Sequence, residues 1–208
     1  GGGLPPAGTP GRDPARVRGV REVANAAGKK GPTIPPGSEF QYSDDGADTL
    51  AALVEVASGK PLAAFFQERI FGPLEMRETI PVVSLDHPLR PRIASNYAGG
   101  KGSWTRYWCN TDKPIFTSLL GSQGLYGSAR DYARFLSLWT KNEKCLLTPA
   151  ALKRGLEPVV AMKYPTTFEG LEAWYGRTWM VWVDSKKRVV AFGHGGSDGT
   201  HAWVWPDL

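Results

Sequence analysis

The spacing of apolar positions along this chain changes several times, and each change marks an element. Residues 1–37 are rich in Gly, Pro and Arg and read as loop, with a short helix over residues 17–27. Residues 38–42, Ser-Glu-Phe-Gln-Tyr, alternate as a short strand does. The period then becomes helical. Leu50, Leu53, Val54 and Ala57 fall at i, i+3, i+4 and i+7, Asp44 or Asp45 is the expected N-cap, and Gly59 the stop. This stripe is expected to face the core. Pro61 suits the start of a second helix that carries Leu62, Phe65, Phe66 and Ile70 on one face and ends at Gly72-Pro73. Residues 77–120 show little periodicity; Trp104, Tyr107 and Trp108 stand there among Gly, Asn and Lys. That stretch reads as a long excursion, either over a binding cleft or as a surface lobe. Ser128-Ala129-Arg130-Asp131 resembles a capping box ahead of a helix with Tyr132, Phe135, Leu136 and Trp139 on one face. Thr148-Pro149 opens a shorter helix. From Trp174 the pattern is that of strands, at residues 179–183, 188–192 and 201–205, joined by turns at Lys186-Lys187 and at residues 195–199. Helices in the middle and an antiparallel sheet at the end predict an α+β fold.

Composition narrows this picture. With 208 residues, 41% of them hydrophobic, the chain suits one domain or one domain with a lobe. No apolar run approaches the ~20 residues that cross a bilayer. Residues 1–10 have neither the charged start nor the apolar stretch of a signal peptide, and there is no initiator Met, so the chain is expected to begin mid-protein. The net charge is +5, and Arg12, Arg16, Arg18, Arg21, Lys29 and Lys30 cluster near the start. Elsewhere Lys and Arg are scattered, eight Trp are present and no nucleic-acid motif occurs, so the cluster reads as a solvated basic loop rather than a nucleic-acid surface. Cys109 and Cys145 fit no zinc pattern; one disulfide and two buried thiols both remain open.

Chemistry concentrates in two places roughly 150 residues apart. Tyr42 precedes a helix N-terminus; a phenol ionises near pH ~10 and becomes a useful base only beside a cation. Asp44 can cap that helix or accept a bond from such a cation. His194 ends a strand and is followed by Gly195 and Gly196, which let a backbone or ligand come close. An amide N–H beyond them can point at a developing oxyanion. Gly195-Gly196-Ser197-Asp198-Gly199 has the form of a nucleophile elbow, yet only nine residues follow, and they pattern as a strand, so a turn is expected. His201 alternates with Trp203 and Trp205 and reads as packing or surface. His194, Asp198 and His201 match no familiar metal spacing.

Four stretches together resemble the serine β-lactamase and penicillin-binding-protein-like family, above all its class C β-lactamase branch with related esterases and D-amino-acid peptidases. They are Gly2-Gly3-Leu4-Pro5, Pro35-Pro36-Gly37-Ser38-Glu39-Phe40-Gln41-Tyr42-Ser43-Asp44, Gly124-Leu125-Tyr126-Gly127-Ser128-Ala129-Arg130-Asp131 and Gly193-His194-Gly195-Gly196. The helix at 49–58 and the run from Gly59-Lys60-Pro61 to Pro73-Leu74-Glu75-Met76 fit the same template. The second stretch corresponds to the family's Tyr-x-Asn and the last to its Lys-Thr-Gly in a His-x-Gly form. The resemblance implies a β-lactamase/transpeptidase-like α+β fold, in which an antiparallel sheet is flanked by helices and a mainly helical lobe. It would be one partial domain over residues 1–208, with the lobe at about 77–173 and sheet strands at 174–208, incomplete at both ends.

By the same resemblance Tyr42 would relay a proton, and Asp44, standing in place of Asn, would bond the catalytic lysine and the substrate; a carboxylate only accepts hydrogen bonds. His194 would orient Tyr42 or a substrate carboxylate. Gly195 and Gly196 would line the substrate, and the Ser197 N–H would form half of an oxyanion hole. No Lys has a Ser three residues before it, so the family's Ser-x-x-Lys pair is missing from this sequence, which is expected to be an unstable, inactive fragment by itself. The implied activity is acyl-enzyme hydrolysis of a small ester, amide or peptide, with no metal or organic cofactor, in a periplasmic or secreted setting. The rival reading is a non-catalytic relative that binds acyl-peptides or a protein partner in the same cleft.

Overall fold

The computed structural model describes residues 19–35, 37–82, 84–141, 146–163 and 168–206. Three expectations fall wholly or partly outside these residues: the Gly2-Gly3-Leu4-Pro5 match, the pairing of Cys145, and the basic loop at Arg12, Arg16 and Arg18, whose remaining members Arg21, Lys29 and Lys30 lie on a helix rather than a loop. Cys109 itself is buried as a free thiol, 3.1 Å from the Thr111 hydroxyl. The helices and antiparallel sheets form two compact units: Gly1–Gly31 with Ser43–Arg134, and Pro32–Tyr42 with Phe135–Leu208.

In the first unit, α1 (Val20–Lys30) packs on α2 (Asp44–Ser58). Their core holds Val20, Val23, Ala51, Ala52, Leu62, Leu119 and Leu120. Ser43 is the N-cap of α2, taking the place expected of Asp44 or Asp45: its hydroxyl accepts from the Gly46 N–H at 3.0 Å. Gly59 ends the helix as expected, in the left-handed region at φ 68°.

The face that α2 buries differs from the one the apolar stripe suggests. Leu50 is 55% and Leu53 57% exposed, while Asp48, Ala51 and Ala52 are buried. The close approach of residues 119–122 decides this. A Cβ on Gly121 would stand 2.2 Å from the Ala47 carbonyl, and the buried Asp48 carboxylate accepts from both Ser122 N and Ser122 Oγ at 2.9 Å. Only the small-residue face of the helix can meet a backbone that near, and the buried carboxylate must stay with its donors.

Helix α3 (Leu62–Phe66) runs into a π turn, Gln67–Phe71, and stops at Gly72-Pro73 as expected. The following excursion is more regular than its sequence suggests. Strand β1 (Ile80–Pro81) pairs with β4 (Leu125–Tyr126), and β2 (Asn96–Gly100) forms a ribbon with β3 (Ser103–Trp108). Lys101 and Gly102 both take positive φ at the ribbon's tip, the requirement of a tight hairpin. The buried Arg90 guanidinium donates to the Asn110, Asp112 and Ser84 carbonyls and lies over Trp108, which ties this stretch together. Half of the expected capping box forms: Ser128 Oγ accepts from Asp131 N. The Asp131 carboxylate accepts instead from Glu78 N and Thr79 Oγ1. Helix α4 (Ala129–Leu136) follows.

In the second unit, Thr148 caps α5 (Pro149–Gly155) as expected. Five antiparallel strands lie in sequence order: β5 (Val160–Ala161), β6 (Glu172–Tyr175), β7 (Met180–Val183), β8 (Val189–Gly195) and β9 (His201–Val204). The first was not anticipated and lies within the stretch expected to be helix and loop; the second straddles the end of that stretch, where the strand pattern was expected to begin at Trp174. One side of the sheet carries Val181, Val183 and Phe192, packed with Trp179, Phe135, Leu136 and Trp139. Trp182 and Trp203 meet edge to face at 4.8 Å with Phe168 against both. Gly193 makes this possible, because a Cβ there would lie 2.1 Å from the Trp203 ring and from the Ala202 carbonyl. Residues 38–42, expected as a strand, are irregular. Among the described residues no single helix is long and apolar enough to cross a membrane.

Candidate active site

The site begins with the segment Pro32–Tyr42 and the ends of β6 and β8, all in the second unit. Side chains order the segment in place of strand pairing. Thr33 donates to Gln41 at 2.9 Å, Lys163 pairs with Glu39 at 3.1 Å, and the Phe40 ring lies 4.8 Å from that of Tyr175. Tyr42 follows, half exposed, with its ring 5.8 Å from the His194 imidazole. The two residues that sequence reading singled out, roughly 150 positions apart, therefore sit side by side.

His194 is held through both ring nitrogens. Nδ1 is 2.6 Å from the Gly195 carbonyl, which can only accept, so Nδ1 carries a proton. Nε2 is 3.1 Å from the hydroxyl of Tyr175, whose ring stands at 86° to the imidazole. Burial first, and the neighbouring Tyr42 second, push the Tyr175 pKa up to about 12. Tyr175 thus stays a protonated donor at neutral pH. Sequence reading missed this residue. Its one signal is a tyrosine ahead of Gly176 where an aromatic run ends.

Beyond His194 the chain turns tightly. Gly196 N–H donates to the Thr200 carbonyl at 2.7 Å and Gly199 N–H to the Gly196 carbonyl at 3.0 Å, with Gly199 at φ 80°. A Cβ on Gly196 would meet Thr200 Oγ1 at 2.3 Å. Ser197 and Asp198 sit at the exposed tip, and β9 follows where an elbow would need a helix, so the turn expected from sequence is the one observed. His201 stacks on Trp203 at 6.0 Å. Among the described residues no three metal-ligating side chains come together. Asp44 opens α2 and belongs to the first unit, whereas Tyr42, His194, Gly195, Gly196 and Ser197 belong to the second. A hollow of about 360 Å³ lined by Gln67, Phe71, Gly72, Glu75, Met76 and Arg77, among others, also lies in the first unit and contains none of these residues.

The beta-lactamase family model matches residues 2–208. The chain belongs to the beta-lactamase family. Within it, the chain is 31% identical over 108 residues to the D-alanyl-D-alanine-carboxypeptidase/endopeptidase AmpH of Escherichia coli strain K12, covering 52% of this chain and 25% of AmpH. The octameric penicillin-binding protein homologue from Pyrococcus abyssi superposes with a TM-score of 0.72 at 18% identity, over 92% of this chain and 42% of that one. EstCE1, a hydrolase with promiscuous acyltransferase activity, gives 0.66 at 21% identity, over 84% and 50%. The fold is thus that of β-lactamases and penicillin-binding proteins, as the sequence resemblance implied, and the chain spans half or less of each of these relatives.

Proposed function

We propose that this chain is part of a serine hydrolase that cleaves an ester or amide through an acyl-enzyme. The observation that carries the reading is the ring contact of Tyr42 with His194, just ahead of the Gly195-Gly196 turn, by which two segments distant in sequence meet. The names of AmpH and EstCE1, a carboxypeptidase/endopeptidase and a hydrolase, support it. In this reading Tyr42 relays the proton between nucleophile and leaving group, and the Ser197 N–H donates to the oxyanion. Asp44 bonds the activating lysine, while Gly195 and Gly196 keep the approach to the carbonyl clear of side chains. In this reading the serine and lysine would lie outside these 208 residues, among which no Ser-x-x-Lys occurs.

The test is burst hydrolysis of a chromogenic ester by the full-length protein that carries this chain. Tyr42→Phe is expected to lower acylation by at least ~100-fold, the scale of a positioned acid–base group. An unchanged acylation rate removes Tyr42 from the mechanism. A full-length protein that itself lacks the Ser-x-x-Lys pair would favour a second reading, a non-catalytic relative that binds acyl-peptides or a protein partner in the same cleft, which predicts retained binding and no burst.

A further inference from the structure

We propose that Tyr175 is a positioning residue of this site: its phenol donates to Nε2 of His194 and, together with the Gly195 carbonyl on Nδ1–H, fixes the imidazole as the Nδ1–H tautomer. Its ring, not an N–H, is then turned to Tyr42.

The contacts around both ring nitrogens support this assignment. The 2.6 Å contact to a carbonyl assigns a proton to Nδ1. A neutral ring then has only an acceptor at Nε2, and the Tyr175 hydroxyl stands 3.1 Å from it. The other acceptor within reach of that hydroxyl, the Thr178 carbonyl, is farther off at 3.5 Å. Phe40 packs on the Tyr175 ring at 4.8 Å and steadies the donor. With both nitrogens engaged inside the protein, His194 meets Tyr42 by ring contact at 5.8 Å and 40° and offers no N–H to a substrate carboxylate. This departs from the role that the resemblance implied for His194. It also makes a substrate whose acyl part is uncharged the better match to this end of the site. Tyr175 acts through His194 and touches no reacting atom.

The kinetic half of the proposal rests on the hydrolase reading, whereas the structural half does not, and the experiment separates them. Nitrogen-15 NMR of the full-length protein, with the His194 signals assigned by His194→Gln, is expected to show protonated Nδ1 and an unprotonated, hydrogen-bonded Nε2. In Tyr175→Phe the Nε2 hydrogen-bond signature is expected to vanish and Nε2–H tautomer to appear. A wild-type His194 protonated at Nε2 overturns the proposal, and this spectrum needs neither the variant nor turnover. So does a His194 spectrum identical in wild type and Tyr175→Phe. In the ester assay Tyr175→Phe is expected to lower kcat about tenfold with KM nearly unchanged, the pattern of an interaction used in the transition state. An unchanged kcat beside the expected spectra makes the bond structural only and overturns the positioning role. Absence of turnover in the wild type sinks the hydrolase reading instead, with the tautomer still decided by NMR.

Discussion

At the residue scale one hydroxyl, that of Tyr175, combines a shifted pKa with a contact to His194. Tyr175 is a phenol whose pKa is raised to about 12, first by burial and then by Tyr42, against 10.0 for an ordinary tyrosine. A raised pKa means that the folded state keeps the proton where the unfolded chain begins to lose it. The stabilisation is therefore fully present below about pH 10 and disappears as pH climbs towards 12. Burial shifts Tyr132 in the same direction. The denaturation midpoint of the wild type is expected to fall more steeply between these limits than that of Tyr175→Phe, and parallel curves would contradict the assignment. Neither this shift nor the bond to His194 was legible in sequence, because both depend on the end of β6 meeting the end of β8.

Backbone proximity sets the rules at the element scale. Turn signals were legible wherever the chemistry is local. Thr148-Pro149 opens a helix, Gly59 closes one, Lys186-Lys187 turns a hairpin with Lys187 at φ 60°, and the glycines after His194 make a tight turn. The β2–β3 ribbon carried the same kind of signal in Gly100-Lys101-Gly102, but it was masked by weak alternation on the exposed strands. Residues 38–42 failed in the opposite sense: their alternation is real, but side-chain contacts to Lys163 and Tyr175 hold them, not a partner strand. Gly193 shows how far a missing side chain can matter. Gly193→Ala places a methyl group 2.1 Å from the Ala202 carbonyl and the Trp203 ring. It is expected to cost about 1–3 kcal/mol, the range for overpacking, as measured by chemical denaturation, with loss of the edge-to-face contact between Trp182 and Trp203. A cost below about 0.5 kcal/mol, as at an ordinary surface site, would mean that β9 is not seated as described.

At the scale of the whole molecule, the exposed apolar face of α2 is the feature to test. Leu50, Leu53 and Val56 are each more than half exposed on α2, an apolar face at helical spacing. The chain spans 42% to 50% of the two structural relatives described above and a quarter of AmpH. Leu53→Glu in the 208-residue chain is expected to leave its stability within about 0.5 kcal/mol, as for any exposed position. If the same substitution in the full-length protein costs ~2 kcal/mol or more, on the scale of a buried leucine, this face is covered there; equal, small effects in both would show that it stays in water. By itself the sequence determined the α+β class, the helix stops and turns, the order of the C-terminal strands and the two segments that carry Tyr42 and His194. The first three follow from local backbone preference and period, and the last from motif residues and the family resemblance they carry. Tertiary structure alone decided which face of α2 is buried, that residues 38–42 are not a strand, and that Tyr175 holds His194. Those outcomes depend on which backbone comes within a few ångströms of which side chain, a distance that no local pattern encodes.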